Sequence, residues 1–398
     1  MGRIDDKTLS ISPVMGRIER MVEELCPEGV EYVKLGNVCS FQNGYAFKSN
    51  LFKTDGAPIV RITNINGLYV DDSELKYFDP NDYKVKLGNY EIHRNDILVA
   101  MSGATTGKIG KFKLNYTAYL NQRVGKFVPN SRYLNNDYLY HILRSISNDL
   151  YIMAGGGAQP NLSSNKLMSE VQIPLPPLPV QEAIVEILDK FDRLSASLQA
   201  ELQARKQQYE YYRNQLLTRF APEQPVTEYS LGELARIKNG RDYKHLNDGD
   251  IPVYGSGGVM TYKDAFTYDK PSVLLPRKGS IDKVFYTDNP FWNVDTVYYT
   301  EINNSIIIPK YLFYCFSNID LAKYNTAAGA IPSLTQKVLN AITFNVPSLE
   351  EQARIVAILD KFEALVNDLS QGLPAEIAAV QEQYEYYRNK LLTFKTKE

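Results

Sequence analysis

Two long strings occur twice in this chain with few changes. "QEAIVEILDKFDRL" (181–194) and "QYEYYRNQLLT" (208–218) return as "QARIVAILDKFEAL" (352–365) and "QYEYYRNKLLT" (383–393). A repeat of this kind constrains the fold more than composition does, because each copy must be the same element facing the same kind of partner. In the first copy Ile184, Leu188, Phe191, Ser195, Leu198, Leu202, Arg205, Tyr209, Tyr212 and Leu216 alternate spacings of four and three. That is the stripe of a long helix burying one seam against another helix. The second copy keeps the register through Ile355, Leu359, Phe362, Val366, Leu369 and Leu373, steps by four to Ile377, and resumes with Val380, Tyr384, Tyr387 and Leu391. The extra step is a stutter, which shifts a seam without destroying it. Pro374 lies at the stutter and is expected to kink or interrupt the helix.

The duplication extends beyond the helices. "PLPPLPV" (174–180) and "VPSLEE" (346–351) are Pro-bearing helix entries, "GAQPNLS" (157–163) faces "GAIPSLT" (329–335), and "VEYVKLGNV" (30–38) resembles "TEYSLGELA" (227–235). The period is far too long for a solenoid unit, so the chain is read as one domain plan duplicated in tandem. The expected segments are a leader and short helix (1–30, with Ile18, Met21, Val22 and Leu25 as its apolar face), a globular segment (31–175), a first long helix (176–225), a second globular segment (226–346) and a second long helix (347–398).

Within the globular segments, strands are predicted at "DILVAM" (96–101), "SVLLP" (272–276) and "TVYYTEI" (296–302), and helices at 135–147 and 309–320. The fold class is therefore α+β. Two similar mixed α/β domains are expected to be separated by a long antiparallel coiled coil of two helices with pseudo-two-fold symmetry. A helix of about 40 residues is roughly 60 Å long, a rigid spacer.

No apolar run approaches the ~20 residues of a membrane helix, and the first residues lack a secretion signal. Met15 offers an alternative start. Cys26, Cys39 and Cys315 have neither disulfide nor zinc spacing, which points to a reducing cytoplasm. Residues 31–175 hold 16 Lys+Arg against 12 Asp+Glu, and residues 226–346 hold 12 of each. Such a balance is weak for a free-standing DNA binder, since phosphate contacts dominate affinity, and it suits a reader that leaves much of any phosphate clamping to partner subunits.

Motifs for chemistry are missing. "SGATTGKIG" (102–110) has three residues, not four, between Gly103 and Gly107, and Ile109 follows Lys108, so it is no P-loop. "VYGSGGV" (253–259) is no nucleophile elbow, since Ser256 directly follows Gly255. His93, His141 and His245 have no metal-ligand spacing, and no Asn-Pro-Pro-aromatic string for holding a flipped adenine occurs. Neither a metal nor a cofactor is expected.

The twin "ILDKF" and "QYEYYRN" helices, the "LPPLP-Q" entry and "YVKLG" opening a variable domain resemble a type I restriction–modification specificity subunit. The resemblance covers essentially the whole chain beyond about residue 15. It implies two target recognition domains, each reading half of a bipartite double-stranded DNA site. It also implies helices that bind two methyltransferase subunits, with motor-nuclease subunits joining for restriction. The subunit itself would be non-catalytic.

The Gly-rich segments then make sense as DNA-facing loops. Gly and small hydroxyls permit close backbone approach to phosphate, Arg and Lys suit guanine, and Asn and Gln suit adenine. In the first domain the candidates are Gly44, Tyr45 and Lys48; Arg61 and Asn64; Ser102, Thr105 and Lys108; and Gln122 and Arg123. In the second they are Lys238, Asn239, Arg241 and Tyr243; Tyr254 and Ser256; Arg277, Lys278 and Ser280; and Trp292. Lys108 is expected to match Arg277 and Lys278. With Tyr209, Tyr212 and Leu216, and Tyr384, Tyr387 and Leu391, placed in the seam, Glu210, Arg213 and Asn214 with Glu385, Arg388 and Asn389 are left for the methyltransferases. The rival readings are a self-contained two-lobed DNA-binding regulator on a coiled-coil spacer, which lacks a helix-turn-helix, and a scaffold without DNA contact.

Overall fold

A computed structural model describes residues 11–157, 159–326, 331–368 and 370–397. The leader before Ile11 and the seam residue Leu369 lie outside the described residues. The chain divides into two units, one formed by residues up to Leu198 together with those from Glu376 onward, the other by Gln199–Ala375.

Unit 1 contains two four-stranded sheets. One is ordered Cys39–Asn43, Val124–Pro129, Ile97–Ala100, Ile109–Lys111, all antiparallel. The other runs Lys76–Phe78, Ala57–Val60, Ala118–Leu120, Glu91–Ile92, with its middle pair parallel. Unit 2 repeats the plan with other residues. Ala235–Asn239, Val297–Ile302, Ser272–Pro276 and Phe285–Thr287 make the first sheet, and Gly258–Lys263, Asp248–Gly255 and Trp292–Asn293 the second, again with one parallel pair. A short antiparallel pair closes each domain, Tyr32–Lys34 on Gln172–Pro174 and Thr227–Ser230 on Thr343–Val346. The apolar runs of the predicted strands explain their place: Ile97–Ala100 and Ser272–Pro276 are buried along their whole length, as inner strands covered on both faces.

Both units require glycine at the corner after their first sheet strand. A Cβ at Gly44 would stand 2.0 Å from the Asn121 carbonyl, and one at Gly240 2.1 Å from that of Val294. The "NG" of "QNG" and "KNG" is thus a backbone crossing, not a ligand-binding feature in itself.

The recurrent glutamine at the helix entry has an equally local cause. Gln181 is fully buried. Its Oε1 accepts from Asn135 N (2.8 Å), and its Nε2 donates to the Tyr133 and Pro176 carbonyls (2.8 and 2.7 Å). Gln352 does the same with Ile308 N, Ile306 O and Pro347 O. Each clamp satisfies the start of a domain helix (Asn136–Ser145 or Pro309–Ser317) from the first turn of a long one.

The first long helix is continuous, Leu178–Thr218. The second is interrupted between Leu349–Asn367 and Leu373–Leu392. Asp368 accepts from Ser370 N, and Gly372 fits where a Cβ would lie 2.4 Å from the Ala364 carbonyl, so the four-residue insertion becomes a turn.

In unit 1 the early part of the first helix meets the late part of the second. Phe191 packs on Tyr384 and Tyr387, with centroids 6.1 and 5.7 Å apart. In unit 2 the roles are exchanged, and Tyr209 and Tyr212 pack on Phe362 at 6.4 and 5.8 Å. The strings recur because "ILDKF" and "QYEYY" are each other's partners in an antiparallel pair. The seam differs from expectation at its edge. Tyr212 is 41% exposed despite its stack, and Leu217 rather than Leu216 is buried, because a helix of 3.6 residues per turn drifts from a 3.5-residue stripe.

The N-terminal helix is longer than expected, Ile11–Leu25. It buries Met15 and Ile18, leaves Leu25 exposed, and pairs Arg17 with Glu186 (2.8 Å) and Glu19 with Lys390 (3.0 Å). The C-terminal tail closes unit 1: Val30 N donates to Lys395 O and Lys397 N to Val30 O (2.8 and 3.0 Å). Gly29, at φ +106°, is the glycine that lets the tail approach.

Candidate nucleic-acid interface

In unit 1 the four predicted loops converge. The turn following strand Ile97–Ala100 is held by Met101 N on Arg123 O (2.9 Å), Leu162 N on Met101 O (2.7 Å) and Gly103 N on Pro160 O (3.3 Å). Thr105 Oγ1 donates to Ile62 O (3.0 Å), tying in the Arg61–Asn64 turn, and Tyr45 N donates to Leu120 O (2.8 Å), tying in the Gly44–Lys48 turn.

Unit 2 builds the same cradle from different side chains. Arg277 N donates to Thr296 O (2.9 Å), Leu334 N to Arg277 O (2.9 Å), Gly279 N to Pro332 O (3.1 Å) and Arg241 N to Asn293 O (2.9 Å). Gly103 and Gly279, at φ +80° and +89°, occupy the left-handed position of the turn in their units.

This correspondence corrects the expected pairing of Lys108 with Arg277 and Lys278. Arg277 corresponds to Met101 and Lys278 to Ser102, while Lys108 lies at the far end of its loop, directly before strand Ile109–Lys111. It also supplies residues the sequence reading left without a role. Pro160 and Asn161, and Pro332 and Ser333, form the second wall of each cradle, Ser102 bridging to Asn161 and Lys278 to Ser333. The recurrence of "GAQPNLS" as "GAIPSLT" was the available signal.

The candidates divide by exposure. Lys48, Lys108, Gln122 and Arg123 in unit 1, and Lys238, Asn239, Arg241 and Lys278 in unit 2, are exposed. Lys238 is 3.5 Å from Glu301, and Asn239 accepts from Gln336 (3.3 Å). Thr105, Ser256 and Ser280 are half-buried. Arg277 is half-buried and donates to the Asp295 carbonyl (3.1 Å) with its guanidinium over the Tyr298 ring. Arg61 is likewise half-buried, reaching Glu74 O at 3.5 Å.

Several expected readers serve the domain instead. Asn64 is buried, accepting from Arg61 N (3.0 Å) and donating to Asp71 O (3.1 Å). Trp292 is buried and its indole donates to Arg241 O (3.0 Å). Tyr45 packs among Phe47, Tyr83 and Tyr90, Tyr254 against Phe285 and Phe291, and Tyr243 on the Val253–Trp292–Val294 cluster. A large ring or amide beside a Gly-rich turn fills the space beneath it as readily as it reaches outward. Ser102 is buried as well, its Oγ without a partner.

The helix residues proposed for partners are also split. Glu210, Asn214, Glu385 and Asn389 are exposed, with Asn214 accepting from Asn318 (3.3 Å) and Glu385 from Gln381 (2.8 Å). Arg213 and Arg388 instead lie over the Tyr209 and Tyr384 rings, at 5.1 and 5.5 Å. The reading missed Tyr211 and Tyr386, which are 59% and 63% exposed at the same place in each string. Identical, off-seam aromatics were the signal.

Among the described residues, His141, Asp189 and Asp192 bring three possible ligand atoms within 4.8 Å. All three have protein partners: His141 Nε2 is 3.0 Å from Asp189, and Arg144 donates twice to Asp192 (2.9 and 3.0 Å). Burial opposes ionisation of Asp189, but the hydrogen bond and charge of His141, aided by Lys111, hold its carboxyl below the usual range. The matching positions in unit 2 join Tyr314 to Asp360 and Glu363 (2.5 and 2.8 Å) and Lys310 to Asp360 (2.9 Å). The cluster therefore latches a domain helix to a long helix. Burial also pushes the Cys39 and Cys315 thiols up to about 12, away from nucleophilic character. The loop cradles offer backbone, amide and cationic groups suited to binding.

Comparison with known proteins follows the duplication. The family model described as "Type I restriction modification DNA specificity domain" matches residues 27–205 and again 223–379. A Haemophilus influenzae protein provisionally named a type I restriction enzyme specificity subunit is 30% identical over 353 residues, 80% of this chain and 88% of that one. The Escherichia coli EcoR124I/EcoR124II specificity subunit is 32% identical over 292 residues, 65% and 70% of the two chains. The crystal structure of a type I restriction-modification S subunit from M. genitalium has a TM-score of 0.62 at 17% identity, covering 92% of this chain and 96% of that one. A structure from work on complex assembly and conformational transition of the type I R-M system gives 0.59 at 16%, covering 92% and 97%. No helix among the described residues is long and apolar enough to cross a membrane.

Proposed function

The chain belongs to the type I restriction–modification DNA specificity family, and from that premise we propose that each loop cradle reads one half of a bipartite site in double-stranded DNA. The observation that carries this is the shared backbone cradle, Met101–Gly103 on Pro160–Leu162 and Arg277–Gly279 on Pro332–Leu334, filled by different side chains. A fixed frame with variable contents is what two readers of different sequences need, since phosphate contacts position a protein and base contacts specify the site. Lys48, Lys108, Gln122 and Arg123 are the proposed contacts of the first domain (31–175), and Lys238, Asn239, Arg241, Arg277 and Lys278 those of the second (226–346).

The subunit is non-catalytic in this reading. Methylation and cleavage belong to partner subunits, and one methyltransferase docks on each copy of the "QYEYYRN" helix, with Tyr211 and Tyr386 as equivalent aromatic anchors flanked by Glu210, Asn214, Glu385 and Asn389. Exposed tyrosine is a favoured interface anchor. The regulator alternative would leave these two tyrosines without a role.

The test is to assemble the chain with a methyltransferase, map the adenines methylated in random-sequence DNA, and exchange residues 226–346 for those of a relative. One half of the mapped site is expected to change. A change in both halves, or in neither, would overturn the assignment of one reader to each domain.

A further inference from the structure

We propose that strand Gly258–Lys263 of unit 2 is an apolar base-reading ribbon, with Val259 and Met260 lying against thymine methyl groups in the major groove of the second half-site. The inference rests on the DNA-reading function proposed above. The strand is the outer member of its three-stranded sheet, yet Val259, Met260 and Tyr262 are 45%, 57% and 54% exposed. Apolar side chains on an open edge invite aggregation and are ordinarily avoided there.

The register shows that Met260 is placed deliberately. Val253 pairs with Thr261 and Tyr254 with Val259, so Met260 is the extra residue of a β-bulge. Its thioether lies against Gly255, where a Cβ would stand 2.4 Å from Met260 Sδ, so the glycine leaves room for the side chain at the bulge. A bulge re-aims a side chain and breaks the ladder, which disfavours a further protein strand as the occupant.

Charge fixes which end of the ribbon approaches nucleic acid. At the tip, a Cβ on Gly279 would lie 3.0 Å from Ser256 Oγ, so the tip packs on the turn that carries Arg277 and exposed Lys278. At the base, Asp248, Asp250 and Asp264 are exposed, and Lys263 is engaged by Asp248 at 2.6 Å. Phosphates are attracted at the tip and repelled at the base. A two-stranded ribbon fits the roughly 12 Å major groove, where the thymine methyl is the apolar group on display. In unit 1 the corresponding strand, Lys76–Phe78, buries Phe78 fully and exposes Lys76, so the device belongs to the second half-site alone.

The experiment selects bound duplexes from a random library with the chain assembled on a methyltransferase, using wild type, Met260→Ala, Val259→Ala and Met260→Leu. Deoxyuridine then replaces each thymine of the selected site in turn. Wild type and Met260→Leu are expected to lose roughly four-fold in affinity per critical methyl removed, the worth of one buried carbon. The alanine variants should be insensitive at those positions and unchanged at the first half-site. Alanine variants that select the same second half-site with the same deoxyuridine sensitivity overturn the proposal, as does a second half-site without thymine. Wild-type protein that enriches no sequence overturns the DNA-reading function itself, and this inference with it.

Discussion

Replacing Gln352 by Met keeps the volume of the side chain while removing every polar group of the clamp. The change strands Ile308 N–H, Ile306 O and Pro347 O, which Gln352 meets at 2.8, 3.0 and 2.9 Å. The glutamine is fully buried, so water cannot simply take its place. A stranded buried group costs about 1–3 kcal/mol, carbonyls nearer the lower bound, for a sum of about 3–5 kcal/mol. In a unit of this size each kcal/mol moves the unfolding midpoint by about 2–4 °C, so the midpoint should fall by roughly 10 °C. Gln181→Met should act similarly on unit 1 through Asn135, Tyr133 and Pro176. The two sites share no partner, so the double variant should show the sum. Calorimetry or thermal circular dichroism on the purified subunit provides the readout. Midpoints within about 2 °C of wild type for both variants would refute the idea that these glutamines hold the domain helices to the long ones.

Other consequences can be checked separately. Gly44→Ala and Gly240→Ala, whose Cβ atoms would stand 2.0 and 2.1 Å from carbonyl oxygens, should destabilise by roughly 3 kcal/mol or more; Gly88→Ala, with open space around it, should be near neutral by urea titration. Lys278→Ala should leave the unfolding midpoint unchanged and reduce the salt slope of DNA binding by about one unit; an unchanged slope would remove Lys278 from the phosphate contacts. Asp189 has a folded-state pKa below its unfolded value, so its stabilisation is present above about pH 4 and lost as pH falls through the folded pKa. Asp189→Asn should therefore flatten the acid limb of stability against pH, and an identical limb in the variant would contradict that account.

The helical repeat was legible because its periodicity is a local property of the string, and the recurrence of "ILDKF" and "QYEYYRN" implied that the two long helices pair with each other. Pro374 likewise marked the interruption between Asn367 and Leu373. The cradles were harder. Lys108 and Lys278 look alike in sequence, but equivalence is set by backbone bonds to segments some 55 residues downstream, Pro160 and Pro332, and spacing along one loop carries no trace of them. Trp292 and Asn64 misled for a related reason. Both residue types suit DNA, and both also suit the underside of a turn, and only the tertiary environment decides between these uses. Met260 left no signal at all, since a bulge is a mismatch between two strands and neither strand shows it alone.

The tail bonded to Val30 sets an unusual order of completion during synthesis. Gln199–Ala375 is one uninterrupted stretch and can close as soon as it leaves the ribosome. Unit 1 begins first, but its long helix lacks Tyr384 and Tyr387 to cover Phe191, and Gly29 lacks Lys395, until residues beyond Ala375 are made. Domains ordinarily finish in the order they are translated, whereas here the first-made domain finishes last. Nascent chains halted after Ala375 should expose Phe191, an apolar surface for chaperones that the finished protein buries.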